Sequence, residues 1–154
     1  TQAGRPMTPQ TSKQADIRLE RTFDAPADVV FRAITDPARL PRWYAPSDAY
    51  TVTVDPWDLR VGGAYGVTMT HTGGNVHRAE GEFREIVTNR RLAKTWSWAD
   101  QPPMDTLVTF ELSPAGTGTR LVLTHTGFPD EELAQKHMEG WTGCVDRIAS
   151  ALDG

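Results

Sequence analysis

The amino-acid sequence predicts an α+β fold: a curved antiparallel sheet of six or seven strands around one long C-terminal helix, with two short helices after the first strand. Three observations lead there. Apolar residues alternate with period two in successive segments between residues 16 and 126. The separators between those segments are short and rich in turn formers, which favours antiparallel neighbours over the long crossovers that parallel strands require. In the last segment, DEELAQKHMEGWTGCVDRIASAL, the period changes to about 3.6.

Residues 1–15, TQAGRPMTPQTSKQA, are polar, include Pro6 and Pro9, and are expected to form a mobile tail; Met7 offers a native start that would leave Thr1 to Pro6 extraneous. From Asp16, DIRLERTF sets Ile17, Leu19 and Arg21 against Arg18, Glu20 and Thr22, a strand with one buried face, and Phe23 reads as a break in that period. DAPADVVFRAITDP then predicts a turn and a helix, with Pro26 in its first turn and Val30, Phe31 and Ile34 as its apolar stripe. Pro37 ends that helix or begins a second, and a short helical segment through Arg39 and Leu40 delivers Trp43 and Tyr44 to the surface or a pocket mouth.

Six strands are expected next: Tyr50 to Val54, Ala64 to Thr70, Val76 to Ile86, Leu92 to Trp98, Thr106 to Leu112 and Thr119 to Thr126. Gly62-Gly63, Thr72 to Asn75, Pro102-Pro103 and Pro114 to Gly118 supply turns. In the last segment Leu133, His137, Trp141, Val145, Ile148 and Leu152 share one helical face, and Asp130, Glu131 and Glu132 favour a start near Pro129. Gly140 and Gly143 weaken that helix by up to about 1 kcal/mol each, either for close approach to the sheet or to leave room beside Trp141.

The 154 residues, 38% hydrophobic, suit a single domain over residues 16–152 that needs no disulfide or structural metal. A net charge of -4 argues against nucleic acid as a partner. No apolar run approaches the roughly 20 residues that span a bilayer, so membrane insertion is not expected and a cytoplasmic location is the simplest reading. Cys144 has no partner for an intramolecular disulfide or CxxC chemistry and reads as a small core residue.

A single helix covers only part of a sheet face this wide, so the sheet is expected to curl around it. Inward rows run through Tyr65, Val67 and Met69, through Val108, Phe110 and Leu112, and through Leu121, Leu123 and His125; they fill a core or wall a cavity. Trp43, Tyr65, His77, Trp96, Trp98, His125 and Trp141 add flat amphipathic surfaces suited to a largely apolar molecule. No cofactor motif is evident. His71, His77, His125 and His137 lack metal-ligand spacing, and GxSxG, GxGxxG and the P-loop are missing. His77 and Glu80 occupy opposite strand faces; His77 and His125 meet only if strand pairing joins their segments.

FDAPADVVFRAITDPARLPRWYAP, DLRVGGAYGVTM, EGEFREIVTNRRLAKTW, LVTFELSPAGTGTRLVLTHTGF and HMEGWTGCVDRIASAL, in this order and spacing, resemble the heat-shock-protein ATPase activator homologue (AHSA-like) family of the START-like, SRPBCC or Bet-v-like helix-grip superfamily, over about Ile17 to Leu152. The resemblance implies a hydrophobic cavity between sheet and helix, with Trp43, Tyr65, Met69, Trp96, Met138, Trp141 and Val145 as candidate lining; the amphipathic pattern adds His77 and His125. The expected function is non-catalytic binding of a small hydrophobic molecule. The alternatives are a cyclase-like or hydrolytic enzyme using His77, His125 or Tyr65, and a chaperone-associated interaction domain with a chaperone or a second copy as partner.

Overall fold

The computed structural model of the chain describes residues 15–45, 47–99, 101 and 105–152. Of the expected tail over residues 1–15, residues 1–14 lie outside the described residues, as does the Pro102-Pro103 turn, and Ala15 already belongs to the first strand. Seven strands form one antiparallel sheet: β1 (Ala15–Phe23), β2 (Tyr50–Trp57), β3 (Ala64–His71), β4 (Val76–Val87), β5 (Arg91–Trp98), β6 (Thr106–Ala115) and β7 (Gly118–Phe128). Their spatial order is β1-β7-β6-β5-β4-β3-β2. Strands β2 to β7 are a meander, and β1 closes it beside β7.

This order forces the connection from β1 to β2 to travel from one sheet edge to the other. The connection carries helix α1 (Ala27–Thr35) and a second, shorter helix of 3-10 type over Leu40–Arg42. Helix α1 stops at Thr35, with Asp36 already extended, because a residue before proline disfavours helical backbone and Pro37 follows. The same passage brings Trp43 and Tyr44 into the core, both almost wholly buried.

The three inward rows are buried throughout. Phe23 corrects one expectation: it is in phase with Ile17 and Leu19 and buried like them, so the β1 pattern continues to the strand end. Arg21, in the same row, reaches out to Asp146 instead, with 2.8 Å between Nε and Oδ1. β2 runs three residues past its expected end, through Pro56 to Trp57, where the register with β3 shifts. The turn before β3 holds Gly62 at φ +86°, a left-handed conformation that side chains disfavour, which gives the Gly62-Gly63 pair a structural reason.

Helix α2 (Glu131–Arg147) starts at Asp130, whose carboxylate accepts from the Leu133 N–H at 2.8 Å, and continues as a 3-10 turn over Ile148–Ala151. It packs along β1 and touches β7. Over the β2–β5 half of the concave face it leaves a gap, and the site lies there.

Candidate functional site

The gap is a cavity of about 480 Å³, open to solvent, with walls from β2 to β5 on one side and α2 on the other. Tyr44, Trp96, Trp98 and Trp141 provide its aromatic surface, and His77, Lys136 and His137 contribute polar atoms. Two larger depressions, about 640 and 670 Å³, are lined mainly by charged and polar side chains such as Arg18, Arg90, Arg91 and Glu111 in one and Asp16, Arg18, Glu131 and Glu132 in the other. Aromatic lining, not volume, distinguishes the helix–sheet gap.

Four of the nine expected binding residues come together on this cavity: Met69, His77, Trp96 and Trp141. The other five lie outside its lining. Trp43 is wholly buried, donates its indole N–H to the Ala33 carbonyl at 2.7 Å and packs edge-on against Phe110. Tyr65 is buried among Trp57 and Phe83, and its hydroxyl donates to the Thr95 carbonyl at 2.6 Å. Val145 is core, His125 lies buried beneath Trp141, and Met138 faces the depression bounded by Asp16 and Glu131. α2 lies close to β1 and β7, so His125 and Val145 toward that side are spent on packing, while Tyr65 on β3 is covered by Trp57 and Phe83.

Two histidines brace the wall. Trp141 donates its indole N–H to Nδ1 of His125 at 3.0 Å, so the His125 proton is on Nε2, 2.9 Å from the Thr106 hydroxyl, which itself donates to the Trp96 carbonyl at 2.7 Å. Burial, with His137 and Lys94 nearby, drives the His125 pKa down to about 2, and the ring is neutral. His137 has the opposite tautomer: Nδ1 lies 2.9 Å from the Leu133 carbonyl, and Nε2 accepts from the Trp98 indole at 2.8 Å. Burial lowers its pKa also, against the raising effect of the Leu133 bond.

His77 does not meet His125, because β5 and β6 separate their strands; it stands exposed at the mouth, edge-on to Trp98 at 5.9 Å. His71 is turned to Tyr50 and accepts from the Gly73 N–H at 3.0 Å. Among the described residues, no group of three or more His, Cys, Asp or Glu side chains is placed to hold a metal ion. No helix among them is long and apolar enough to cross a membrane.

Sequence reasoning missed Lys94. It is 1% exposed, with Nζ 2.7 Å from the Tyr44 hydroxyl and 4.4 and 4.5 Å from the ring centres of Tyr65 and Tyr44. Desolvation lowers its pKa from 10.5 to about 7, with the Cys144 thiol pulling weakly the other way. The signal was available, since Lys94 is in phase with Leu92 and Trp96 and therefore sits on the inward row of β5. Cys144, buried as expected, also borders the cavity, and burial pushes its thiol up to about 12, far from a reactive thiolate. Gly140 has open space where a Cβ would stand, with nothing within 4 Å, so this glycine leaves room instead of permitting close contact with the sheet.

The sequence profile described as "Activator of Hsp90 ATPase homolog 1-like protein" matches residues 24–153. Among solved structures, the chain is similar to protein CV1439 from Chromobacterium violaceum, with 30% identity and a TM-score of 0.82 over 90% of this chain and 97% of that one. It is similar to the AHSA1 protein SPO3351 from Silicibacter pomeroyi, with 29% identity and a TM-score of 0.80 over the same shares. A curated relative, uncharacterized protein C1711.08 of Schizosaccharomyces pombe, is 29% identical over 131 residues, 82% of this chain. The chain spans about a third of that relative, 34% of its length.

Proposed function

We propose that this chain, which belongs to the activator of Hsp90 ATPase homolog 1-like family, binds a small, largely apolar molecule in the gap between α2 and the sheet. Its helix-grip fold is one commonly used to bind ligands or partners. The observation that carries the reading is the aromatic cavity of about 480 Å³, within the ~300–1,000 Å³ of small-molecule sites. Gly140 supports it, because a helix former there would be worth about 1 kcal/mol to α2 and would meet no obstacle.

The hydrogen bonding of His125 and Tyr65, two of the three groups a cyclase or hydrolase would use, fits a non-catalytic role better; of the three, His77 lines the cavity. Both ring nitrogens of His125 are engaged, and the Tyr65 hydroxyl is committed to a backbone carbonyl. Neither is placed to exchange a proton with a molecule in the cavity. The test is a fluorescence titration with the neutral probe N-phenyl-1-naphthylamine on wild type and Gly140→Leu. Saturable binding that Gly140→Leu weakens by about tenfold or more is the expected result. Equal binding by both proteins would remove the cavity as the site.

A further inference from the structure

Resting on the cavity-binding reading, we infer that the natural ligand is an aromatic acid whose anionic oxygen sits against the Tyr44 hydroxyl, with the Lys94 ammonium behind that hydroxyl as counter-charge.

Three independent features of the wall point there. Among the described residues, no aspartate or glutamate lines the cavity, whereas His77, Lys136 and His137 do. Lys94, an ammonium with three donors, makes one hydrogen bond, to Tyr44, and no ion pair among the described residues; its other neighbours are the rings of Tyr65, Trp57 and Phe110. A buried cation held only by a phenol and π-faces is undercompensated, and an anion one hydroxyl away would complete it. When the Tyr44 oxygen accepts from the ammonium, its own O–H is left to donate, and Tyr44 borders the cavity.

The third feature is Trp96. Its indole N–H is buried without an acceptor among the described residues, and the side chain lines the same cavity. A buried donor left unmade is costly. Tyr44 and Trp96 stack at 6.1 Å with an interplanar angle of 13°, so the two donors belong to adjacent parallel rings. A flat body against such rings, carrying an acceptor oxygen at its edge, meets the π-surface and the Tyr44 donor. Charge neutralisation also gives a proton signature: an anion at Tyr44 raises the protonated fraction of Lys94, so binding takes up protons near pH 8. The other titratable groups around Lys94 are Tyr44, Tyr65, Cys144 and His125, and burial holds the first three protonated and the last neutral at that pH.

The experiment compares two probes with the same anilinonaphthalene body: 8-anilinonaphthalene-1-sulfonate, which carries an anion, and N-phenyl-1-naphthylamine, which does not. Calorimetry on the full chain in two buffers of different ionisation enthalpy gives both affinity and proton uptake. Wild type is expected to prefer the sulfonate by about tenfold, a Coulombic gain of modest size, and to take up protons. Lys94→Met is expected to abolish both the preference and the uptake while leaving the neutral probe within about twofold. Tyr44→Phe, a milder change to the packing, is expected to reduce the preference as well. Lys136→Gln, which removes a charge from the lining, is expected to weaken the preference less than Lys94→Met does.

Neutral-probe binding without a sulfonate preference overturns this inference and leaves the cavity reading standing. Binding of neither probe overturns both. Loss of the preference in Lys136→Gln but not in Lys94→Met assigns the counter-charge to the mouth and overturns the role given to Lys94.

Discussion

Lys94→Met is expected to make the protein more stable at neutral pH. A fall in pKa from 10.5 to about 7 corresponds, at about 1.4 kcal/mol per unit, to roughly 5 kcal/mol by which burial of this amine opposes folding at pH 7. Methionine fills similar volume without a charge, but it forfeits the 2.7 Å bond and leaves the Tyr44 hydroxyl unpaired, a loss of about 1–3 kcal/mol. The net expectation is a gain of about 2–4 kcal/mol for Lys94→Met, larger when Tyr44→Phe is combined with it.

The pH dependence isolates the cause. The folded-state pKa lies below the unfolded one, so between about pH 7 and 10.5 the unfolded chain holds more protons and wild-type stability rises with pH. The variant lacks this slope. Its advantage should therefore shrink by about 2 kcal/mol between pH 6.5 and 8.5. Above that window Tyr44 and Cys144, whose pKa values burial raises, begin to lower stability in both proteins, because the unfolded chain releases those protons first. Urea denaturation followed by tryptophan fluorescence measures the gap at each pH. A gap that stays constant from pH 6.5 to 8.5 would refute the claim that Lys94 is desolvated in the fold.

Four further outcomes are expected. Trp141→Phe keeps the ring against Phe110 but leaves His125 Nδ1 without its donor, so a loss of about 1–3 kcal/mol is expected in urea denaturation; an unchanged midpoint would show the bond to be unimportant. Long-range ¹H–¹⁵N spectra should find the proton of His125 on Nε2 and that of His137 on Nδ1, with His125 still neutral at pH 4.5, and the reverse tautomers would break the bracing scheme. The unfolded chain protonates this histidine near its ordinary 6.5 while the fold does not, so stability should drop by about 2 kcal/mol from pH 6.5 to 4.5 on this account, and His125→Gln should flatten that segment of the curve. Gly140→Ala is expected to raise stability by about 1 kcal/mol in thermal unfolding, and a decrease would mean the space at Gly140 is not open.

Much of the architecture was legible because its information is local. Alternation placed Tyr65, Val67 and Met69 inward, and Asp130 with Glu131 and Glu132 marked the start of α2, since pleat and helix geometry act within a few residues. The site was only partly legible, because its boundary depends on where α2 rests across the sheet. Tyr65 and Met69 share one face of β3, yet Met69 borders the cavity and Tyr65 is packed under Trp57. No periodicity distinguishes them; the difference is set by what packs over each, Trp57 and Phe83 on Tyr65 and the gap left by α2 at Met69. The β1–β2 connection shows the same limit. Its helix was readable from Val30, Phe31 and Ile34, but the burial of Tyr44 beside Lys94 follows from crossing the whole sheet.

The polar groups around the gap sort by whether their hydrogen bonds are closed. His125, His137, Thr106 and the indoles of Trp98 and Trp141 bond to one another or to backbone, which fixes tautomers and ring orientations and makes that wall rigid. Tyr44, Lys94 and Trp96 retain donors that no described residue accepts, and they are joined by the Tyr44–Lys94 bond and the Tyr44–Trp96 stack. A core evolved only to be stable would replace Lys94 with an apolar side chain and close the Trp96 donor, since both changes lower the cost of burial. Concentrating the unfilled capacity on adjacent rings, while the neighbouring indoles and imidazoles are satisfied, is the distribution expected of a surface shaped to meet an acceptor oxygen from outside the chain.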